Sequence, residues 1–182
     1  LPEGVMRFHM TRRTLTPIIA NNSASLFALE GNLRLVEFHS KANALTDESM
    51  EIVAAAAADH GKGIIIHNDA QHFSAGVDLN AFRAYIEAED WDGIDGFLDR
   101  FQKAVCALKY APVPVVGAPS GLAAGGGYEV LAHCDRLVVH TTSVMGLVEA
   151  GVGVVPGGGG IKDTFFRWHA AKDSWDEAAW QT

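Results

Sequence analysis

GLAAGGGYE, residues 121–129, is the stretch of sequence on which the fold assignment depends. Its small residues predict a loop over 121–125, and the glycines lead into a short helix predicted over 126–133. Amide hydrogens in the first turn of a helix have no acceptor inside the helix, and the helix dipole adds positive potential there. We therefore expect this junction to present N–H donors to an anion, with Glu129 about one helical turn further along.

A second candidate donor segment is FSAGVD, residues 73–78, which follows a predicted buried strand at Ile64–Ile66. A glycine among small residues lets the backbone turn sharply and expose amide hydrogens. If the amides of this segment and of the 125–127 glycines converge on one point, they form an oxyanion hole, which stabilises negative charge on a substrate oxygen. The sequence therefore predicts two donor segments.

Two acidic residues stand in apolar or glycine-rich surroundings. Glu129 is followed by Val130 and Leu131, and Glu149 has no basic residue within six positions on either side. Burial without a cation raises the pKa of a carboxyl group toward the range that suits general acid–base catalysis. Either residue alone is most simply a surface charge. As a pair that shares one water, they are candidate acid/base residues.

The remaining pattern predicts an α/β fold. Strands at Leu26–Leu29 and Leu33–Phe38 are separated by Glu30-Gly31-Asn32, which favours a hairpin. A helix is predicted from a Thr46 cap to about residue 58. The other predicted elements are helices at 91–108 and 161–168 and strands at 115–116 and 137–140.

The composition limits the classes of function. The chain has 182 residues, 48% of them hydrophobic and 20% charged, which suits one globular domain. A net charge of −8 without a Lys/Arg cluster argues against nucleic acid as a partner. Two cysteines without CxxC spacing predict neither a disulfide framework nor a zinc site, which fits a reducing, cytoplasmic compartment. No apolar run approaches the length of a membrane span.

Other catalytic and binding motifs are not supported. His67, Asp69 and His72 lack a second group at ligand spacing, so no metal site is predicted. The glycine run at 157–160 is not followed by the Lys-Ser/Thr of a P-loop, and Pro156 stands where a dinucleotide fingerprint needs its third glycine. No tightly bound cofactor is therefore expected.

Several motifs, taken in their order, resemble the enoyl-CoA hydratase, or crotonase, superfamily. They are residues 73–79, residues 121–129, Cys134-Asp135, Gly146-Leu147-Val148-Glu149 running into Pro156-Gly157-Gly158-Gly159, and an early segment from His39 to Leu45. The resemblance covers residues 23–168 and is closest to the hydratase-like domain of fused 3-hydroxyacyl-CoA dehydrogenases. It implies an α/β spiral of repeated strand-strand-helix units.

The resemblance also divides the chain. Residues 1–22 would be a tail or linker, residues 23–168 the crotonase-like core, and residues 169–182, with Trp175 and Trp180, the truncated start of a C-terminal helical region. Family members continue there with helices that cover the acyl pocket and build a trimer. These trimerisation helices are expected to be missing from this chain.

The resemblance implies a role for each matched position. The amides of Val77 and Gly126 would hold the thioester oxygen. Glu129 would activate the water, Glu149 would deliver or remove the proton at the alpha carbon, and the amide of Gly157 would help to place the water. The residues implied on the coenzyme A and substrate side are Lys41, Ala44, Ala75, Gly76 and Asp78.

The implied reaction is hydration of a trans-2-enoyl-CoA in fatty acid beta-oxidation, with the coenzyme A thioester as substrate. Because the isomerase branch commonly keeps only one glutamate, possession of both favours the hydratase. The alternatives are an enoyl-CoA isomerase and a non-catalytic acyl-CoA-binding or assembly domain. The implied partners are further copies of the chain, as a trimer or dimer of trimers, or a dehydrogenase domain of the same polypeptide.

Overall fold

The computed structural model describes residues 14–170, which form one six-stranded sheet, one two-stranded sheet and five α-helices. The strands are β1 (Ile19–Ala20), β2 (Ala24–Leu29), β3 (Leu33–Phe38), β4 (Ile64–Ile66), β5 (Val115–Gly117), β6 (Leu122–Ala124), β7 (Arg136–Leu137) and β8 (Val144–Gly146). The helices are α1 (Asp47–Ala58), α2 (Leu79–Glu87), α3 (Trp91–Lys109), α4 (Gly126–Ala132) and α5 (Gly160–Ala170). The large sheet has the order β1-β2-β3-β4-β5-β7.

The predicted hairpin and the helix after it are confirmed. β2 and β3 pair antiparallel, with Leu26 opposite Val36. Between them Gly31 has φ 74°, a left-handed conformation that glycine adopts without steric cost. α1 follows Thr46, whose hydroxyl accepts the Ser49 amide while the Ser49 side chain accepts the Thr46 amide. This capping box fixes the entry into α1 and so the course of the loop before it.

The hydrophobic core joins residues of the large sheet with α1 and α3. β3, β4 and β5 run parallel, with Leu35 beside Ile65 and Ile65 beside Val116. α1 packs against α3, whose apolar stripe is buried as the three- and four-residue spacing predicts. The buried residues of α3 are Phe97, Phe101, Ala104, Val105 and Leu108. The core therefore includes Phe101, whose ring lies close to the backbone of Gly126 and Gly158.

Several elements differ from the sequence-based prediction. The loop predicted over 121–125 is wrong, because Leu122–Ala124 forms β6 and pairs parallel with β8. A three-residue strand of leucine and alanine carries no β-branched signal. The strand predicted over 137–140 is also wrong in its bounds, since only Arg136–Leu137 pairs with β5. α2 was not predicted, and none of its residues is fully buried.

The described residues extend beyond both ends of the predicted core. Ile19 lies opposite Leu26, so β1 adds a strand from within the segment assigned to a linker. At the other end α5 continues to Ala170, while Trp175 and Trp180 lie outside the described residues. The domain boundaries stay predictions. Among residues 14–170, no helix combines the length and the apolar character that crossing a membrane requires.

Candidate active site

The junction between β6 and α4 positions the first predicted donor. Gly125, at φ 50°, turns the chain from strand to helix, and its amide donates to the carbonyl of Gly146 in β8 over 2.9 Å. The left-handed conformation favours glycine at this position. Because the second sheet holds Gly125, the amide of Gly126 and the side chain of Glu129 are carried at fixed positions on α4.

The segments that carry Val77 and Gly126 lie side by side, as the oxyanion-hole hypothesis requires. A Cβ added at Gly126 would lie 2.8 Å from Cγ2 of Val77. Leu45 bonds to the carbonyl of Gly76 and the amide of Asp78, over 2.8 and 3.0 Å, and this parallel pairing turns the Val77 amide away from Leu45. Within residues 14–170 no hydrogen bond uses the amide of Val77 or of Gly126. Both donors are therefore available to a ligand.

Glu129 is buried, with only 2% of its surface exposed. Its Oε1 accepts the amides of Gly158 and Gly160 over 2.8 and 2.9 Å. Burial raises the pKa of Glu129 above its ordinary value; the Gly160 amide opposes this effect, the negative charge of Glu149 adds to it, and the Gly158 amide opposes it. A carboxylate in this environment is a stronger base than one in water.

Glu149 reaches the same junction from the segment that follows β8. It begins a 3₁₀ turn, Glu149–Val152, which Leu147 and Val148 separate from β8. A Cβ added at Gly125 would lie 3.0 Å from Oε1 of Glu149, so the carboxyl group rests against the glycine turn. Among residues 14–170 no group donates a hydrogen bond to its Oε2, although that oxygen is buried. The structure thus brings the two predicted carboxylates to one junction and leaves one buried oxygen of Glu149 unsatisfied.

The glycine loop at 157–160 holds Glu129, a contact that the sequence did not predict. A Cβ at Gly158 would lie 2.4 Å from Cε1 of Phe101 and 2.6 Å from Oε2 of Glu129, and one at Gly160 would lie 2.8 Å from Cγ of Glu129. A side chain at either position would force the surrounding side chains to shift. The carbonyl of Gly157 accepts Nε2 of Gln102 over 2.6 Å. The observed donors to the carboxylate are therefore Gly158 and Gly160, and the water-placing role of Gly157 stays a prediction.

The residues predicted on the coenzyme A side lie along two neighbouring segments. The amide of Ala75 donates to the carbonyl of Ala42 over 3.2 Å, which joins residues 73–78 to the turn at Lys41–Asn43. Lys41 and Ala75 are exposed, and Ala44 is half-buried. These residues therefore form a continuous edge that ends at the Val77 amide.

Two other predicted residues of this edge have structural roles. A Cβ at Gly76, where φ is 97°, would lie 3.0 Å from the carbonyl oxygen of Ala124 and 3.7 Å from the amide of Gly126, so glycine is needed for the close approach. The carboxylate of Asp78 accepts the Asn80 amide over 2.9 Å and caps α2. Asp78 thus fixes the start of α2 beside the candidate oxyanion hole.

A buried polar cluster that the sequence did not predict lies behind Glu129. Nδ1 of His133 contacts the carbonyl oxygen of Glu129 at 2.7 Å, and its Nε2 lies 2.9 Å from Oδ2 of Asp163. The ammonium of Lys109 contacts Oδ1 of Asp163. Burial lowers the pKa of His133, while the Glu129 carbonyl and Asp163 oppose that effect and Lys109 and Lys162 add to it. Neither His133 nor Asp163 has a local sequence motif that would have marked it.

The cleft beside the glycine loop does not contain the carboxylates. A cleft of about 440 Å³ is lined by Gln102, Cys106, His133, Lys162 and neighbouring residues of the glycine loop, and neither Glu129 nor Glu149 lines it. The candidate chemistry lies instead at the junction of β6 and α4, where the donors and carboxylates meet. No group of three or more His, Cys, Asp or Glu side chains in residues 14–170 is arranged to hold a metal ion.

Comparisons with known proteins agree with this description. Residues 30–168 match the family described as Enoyl-CoA hydratase/isomerase. The chain is 33% identical to a probable 3-hydroxyacyl-CoA dehydrogenase of Bacillus subtilis over 168 residues, 90% of this chain and 21% of that protein. It is 33% identical to a putative fatty acid oxidation complex trifunctional enzyme of Rickettsia felis over 153 residues, 82% of this chain and 21% of that protein. The chain spans about a fifth of the length of these relatives.

A solved structure shares the fold. An enoyl-CoA hydratase/carnithine racemase from Magnetospirillum magneticum superposes with a TM-score of 0.71 at 20% identity, covering 80% of this chain and 56% of that one. At this identity the likeness speaks for the fold alone. The predicted crotonase-like α/β fold is confirmed.

Proposed function

The chain belongs to the enoyl-CoA hydratase/isomerase family, and from this premise we propose that its site adds water across the double bond of a trans-2-enoyl-CoA thioester. The observation that carries the proposal is the meeting of two carboxylates, Glu129 and Glu149, at the junction where the amide of Gly126 is free. Hydration needs a base for the water and an acid for the alpha carbon, so a pair of carboxyl groups suits it.

The first step uses Glu129 as the base. Its carboxylate takes a proton from water while the water oxygen bonds to the beta carbon and the double-bond electrons move toward the thioester oxygen. The raised pKa of Glu129 strengthens it as a base, and burial supplies that rise. The enolate oxygen that forms accepts hydrogen bonds from the amides of Val77 and Gly126, which cost no reorganisation because the backbone already holds them.

The second step uses Glu149 as the acid. It gives a proton to the alpha carbon as the thioester carbonyl re-forms, and the proton held by Glu129 returns the pair to its starting state. The buried Oε2 of Glu149 supports this role because it accepts no hydrogen bond from residues 14–170 and so can contact water or substrate. The net change is the gain of one water by the substrate.

The coenzyme A group would lie along the edge formed by Lys41, Ala44, Ala75 and Gly76. Lys41 is exposed there and can approach a phosphate. The product would be a 3-hydroxyacyl thioester, and one relative is named as a probable 3-hydroxyacyl-CoA dehydrogenase. That name supports a dehydrogenase domain in the same polypeptide as the next enzyme on this product in fatty acid beta-oxidation. Assembly as a trimer or dimer of trimers stays a prediction.

Hydration of crotonyl-CoA by the full-length protein, followed by loss of the absorbance of the conjugated double bond, tests the proposal. Glu129→Gln and Glu149→Gln should each lower kcat by about 10²- to 10⁴-fold, the usual contribution of a general acid or base. Glu51→Gln, on the exposed face of α1, is the control and should keep the kcat of the wild-type protein.

Two results would contradict the hydratase proposal. If only Glu149 is essential and the protein shifts the double bond of a 3-enoyl-CoA, the chain is an isomerase. If the protein binds acyl-CoA but converts neither substrate, the chain is an acyl-CoA-binding or assembly domain.

A further inference from the structure

The buried cluster behind Glu129 connects three helices. Lys109 ends α3, His133 follows α4 directly, and Asp163 lies in the first turn of α5. His133 and Asp163 are each 2% exposed. Lys109 contacts Oδ1 of Asp163, His133 Nε2 lies 2.9 Å from its Oδ2, and Nζ of Lys162 lies 3.6 Å from the same oxygen. One carboxylate therefore bonds to Lys109 and lies close to two further nitrogen-bearing side chains, His133 and Lys162.

The same cluster contacts the main chain of Glu129. The carbonyl oxygen of Glu129 can only accept, so Nδ1 of His133, 2.7 Å away, carries the hydrogen of this contact. Nε2 of His133 lies 2.9 Å from Oδ2 of Asp163, an oxygen that accepts no hydrogen bond from residues 14–170, so the ring is in contact with Asp163 and attracts it when protonated. The ring of His133 therefore packs between the backbone of Glu129 on α4 and the carboxylate of Asp163 on α5.

The first turn of α5 in turn holds the side chain of Glu129. Gly160, the first residue of α5, and Gly158 donate their amides to Oε1 of Glu129. The amide of Asp163 donates to the carbonyl of Gly159 over 3.0 Å, so the side chain that anchors α5 belongs to the turn that carries these amides. A shift of Asp163 would move both donors relative to the carboxylate.

Packing energy alone does not account for these residue types. Burying a carboxylate, an imidazole and an ammonium has a desolvation cost that their mutual attraction only partly offsets, and apolar residues of similar volume commonly stabilise a fold as well or better. The contacts of Asp163 instead join the first turn of α5 to Lys109 at the end of α3 and to His133 after α4.

We propose that Asp163, acting through His133 and the first turn of α5, is a positioning residue that holds the carboxylate of Glu129 in its reactive orientation. This inference rests on the hydratase function proposed above. Asp163 and His133 touch neither water nor substrate in the proposed reaction. They contribute by fixing the orientation of Glu129, which does contact the water.

Two readouts on Asp163→Asn test the proposal in the full-length protein. The first is steady-state hydration of crotonyl-CoA, where kcat should fall by about 10- to 100-fold with KM changed by less than about threefold, as expected for a misplaced catalytic group. The second is an infrared titration of the Glu129 carboxyl, whose band is assigned by its loss in Glu129→Gln. The midpoint should shift upward, because weaker amide bonds stabilise the carboxylate less.

The direction in which the Glu129 midpoint shifts distinguishes a positioning role of Asp163 from a purely electrostatic effect of its charge. Removing the negative charge of Asp163 without moving the loop would lower the midpoint of Glu129, since a nearby anion disfavours ionisation. Asp99→Asn is the matched control, because it breaks an exposed ion pair with Lys103 within α3 and should change neither readout. His133→Gln keeps the Lys109–Asp163 contact and should show the same two changes, so it replaces Asp163→Asn if that variant does not fold.

The outcomes are distinguishable. An unchanged kcat with an unchanged or lowered midpoint in a folded variant overturns the positioning role while the hydratase function stands. A wild-type protein without hydratase activity overturns the proposed function, and an upward shift of the Glu129 midpoint in Asp163→Asn still supports the positioning role because it does not depend on turnover.

Discussion

Gly160 donates its amide hydrogen to Oε1 of Glu129 over 2.9 Å, so the first residue of α5 holds the carboxylate that α4 buries. Gly158 donates to the same oxygen over 2.8 Å. With both main-chain donors on Oε1, the other oxygen, Oε2, remains for a water molecule. The loop therefore orients the carboxylate as well as shielding it.

The space around Gly158 predicts the effect of a single methyl group. In Gly158→Ala the new Cβ would lie 2.4 Å from Cε1 of Phe101 and 2.6 Å from Oε2 of Glu129. Overpacking of this kind lowers the free energy of unfolding by about 1 to 3 kcal/mol, and here it should also lower kcat because Glu129 must move. Urea unfolding and hydration of crotonyl-CoA measure the two effects.

Gly151→Ala is the control for this loop, since no atom lies within 4 Å of a Cβ at Gly151 and its φ is not left-handed. It should change stability and kcat little. Equal stability and activity of the Gly158→Ala and Gly151→Ala variants would show that the loop does not enclose Glu129 as described.

A methyl group at Gly126 should disturb the proposed oxyanion hole. Its Cβ would lie 2.8 Å from Cγ2 of Val77, so either the Val77 side chain or one of the two segments that carry the donor amides must shift. Loss of one such donor costs about 10²- to 10³-fold in kcat, and Gly126→Ala should approach this loss with a smaller change in KM. Steady-state kinetics with crotonyl-CoA measures it.

A second substitution tests the cause of that loss. Val77→Ala removes the clashing Cγ2 but keeps the amide, so the Val77→Ala/Gly126→Ala double variant should recover part of the kcat that Gly126→Ala loses. If the effects of the two substitutions on kcat simply add, the clash between these side chains does not explain the loss. The amides are then not held together as proposed.

Glu129 should make the fold less stable at neutral pH. Burial raises its pKa above the ordinary value of 4.5, with Glu149 adding to the rise and the amides of Gly160 and Gly158 opposing it. A carboxyl whose pKa is raised by folding contributes stability that is fully present below the unfolded value and is lost as pH rises through the folded value. Above that range the folded protein holds a buried carboxylate at a cost.

Glu129→Gln should therefore unfold at a higher temperature than the wild-type protein at neutral pH, because its carboxamide oxygen can still accept both amides. The difference should shrink as the pH falls toward 4.5, when the wild-type carboxyl is protonated. Thermal unfolding across this pH range measures it, with Glu51→Gln on the exposed face of α1 as the control. A less stable Glu129→Gln protein at neutral pH would contradict the burial effect.

The sequence predicted those elements whose signal is local and repeated. α3 follows from its apolar spacing and α1 from the Thr46 cap, and both were found as predicted. β6 was missed because Leu122–Ala124 has no strand propensity of its own, and only its pairing with β8 makes it a strand. Short strands of this kind are defined by a distant partner, which periodicity does not reveal.

In the candidate site, too, the sequence predicted the features with a local signal and missed the contacts between distant residues. Glu129 and Glu149 were selected by their local surroundings, while their approach to each other depends on the pairing of β6 with β8. The bonds from Gly158 and Gly160 to Glu129 join residues 29 and 31 positions apart. His133 and Asp163 are 30 positions apart, and nothing beside either residue marks the contact. Long-range polar contacts are therefore the part that the sequence alone does not predict.

The two cysteines should differ sharply in reactivity. Cys134 is completely buried, with Sγ directed at the carbonyl of Val130, and burial raises the pKa of its thiol to about 12, with Arg167 opposing the rise and Asp135 adding to it. The thiolate is the reactive form, and at about pH 8 only roughly 10⁻⁴ of such a thiol is ionised. Cys106, on α3, is partly exposed.

Iodoacetamide at this pH should therefore label Cys106 in the folded protein and leave Cys134 unmodified, whereas both should react in urea. Peptide mapping by mass spectrometry distinguishes the two sites. Labelling of Cys134 in the native protein at a rate near that of Cys106 would mean that α4 and α5 separate readily. That opening would expose the contact between His133 and Asp163 and would remove the rigid support that the positioning of Glu129 requires.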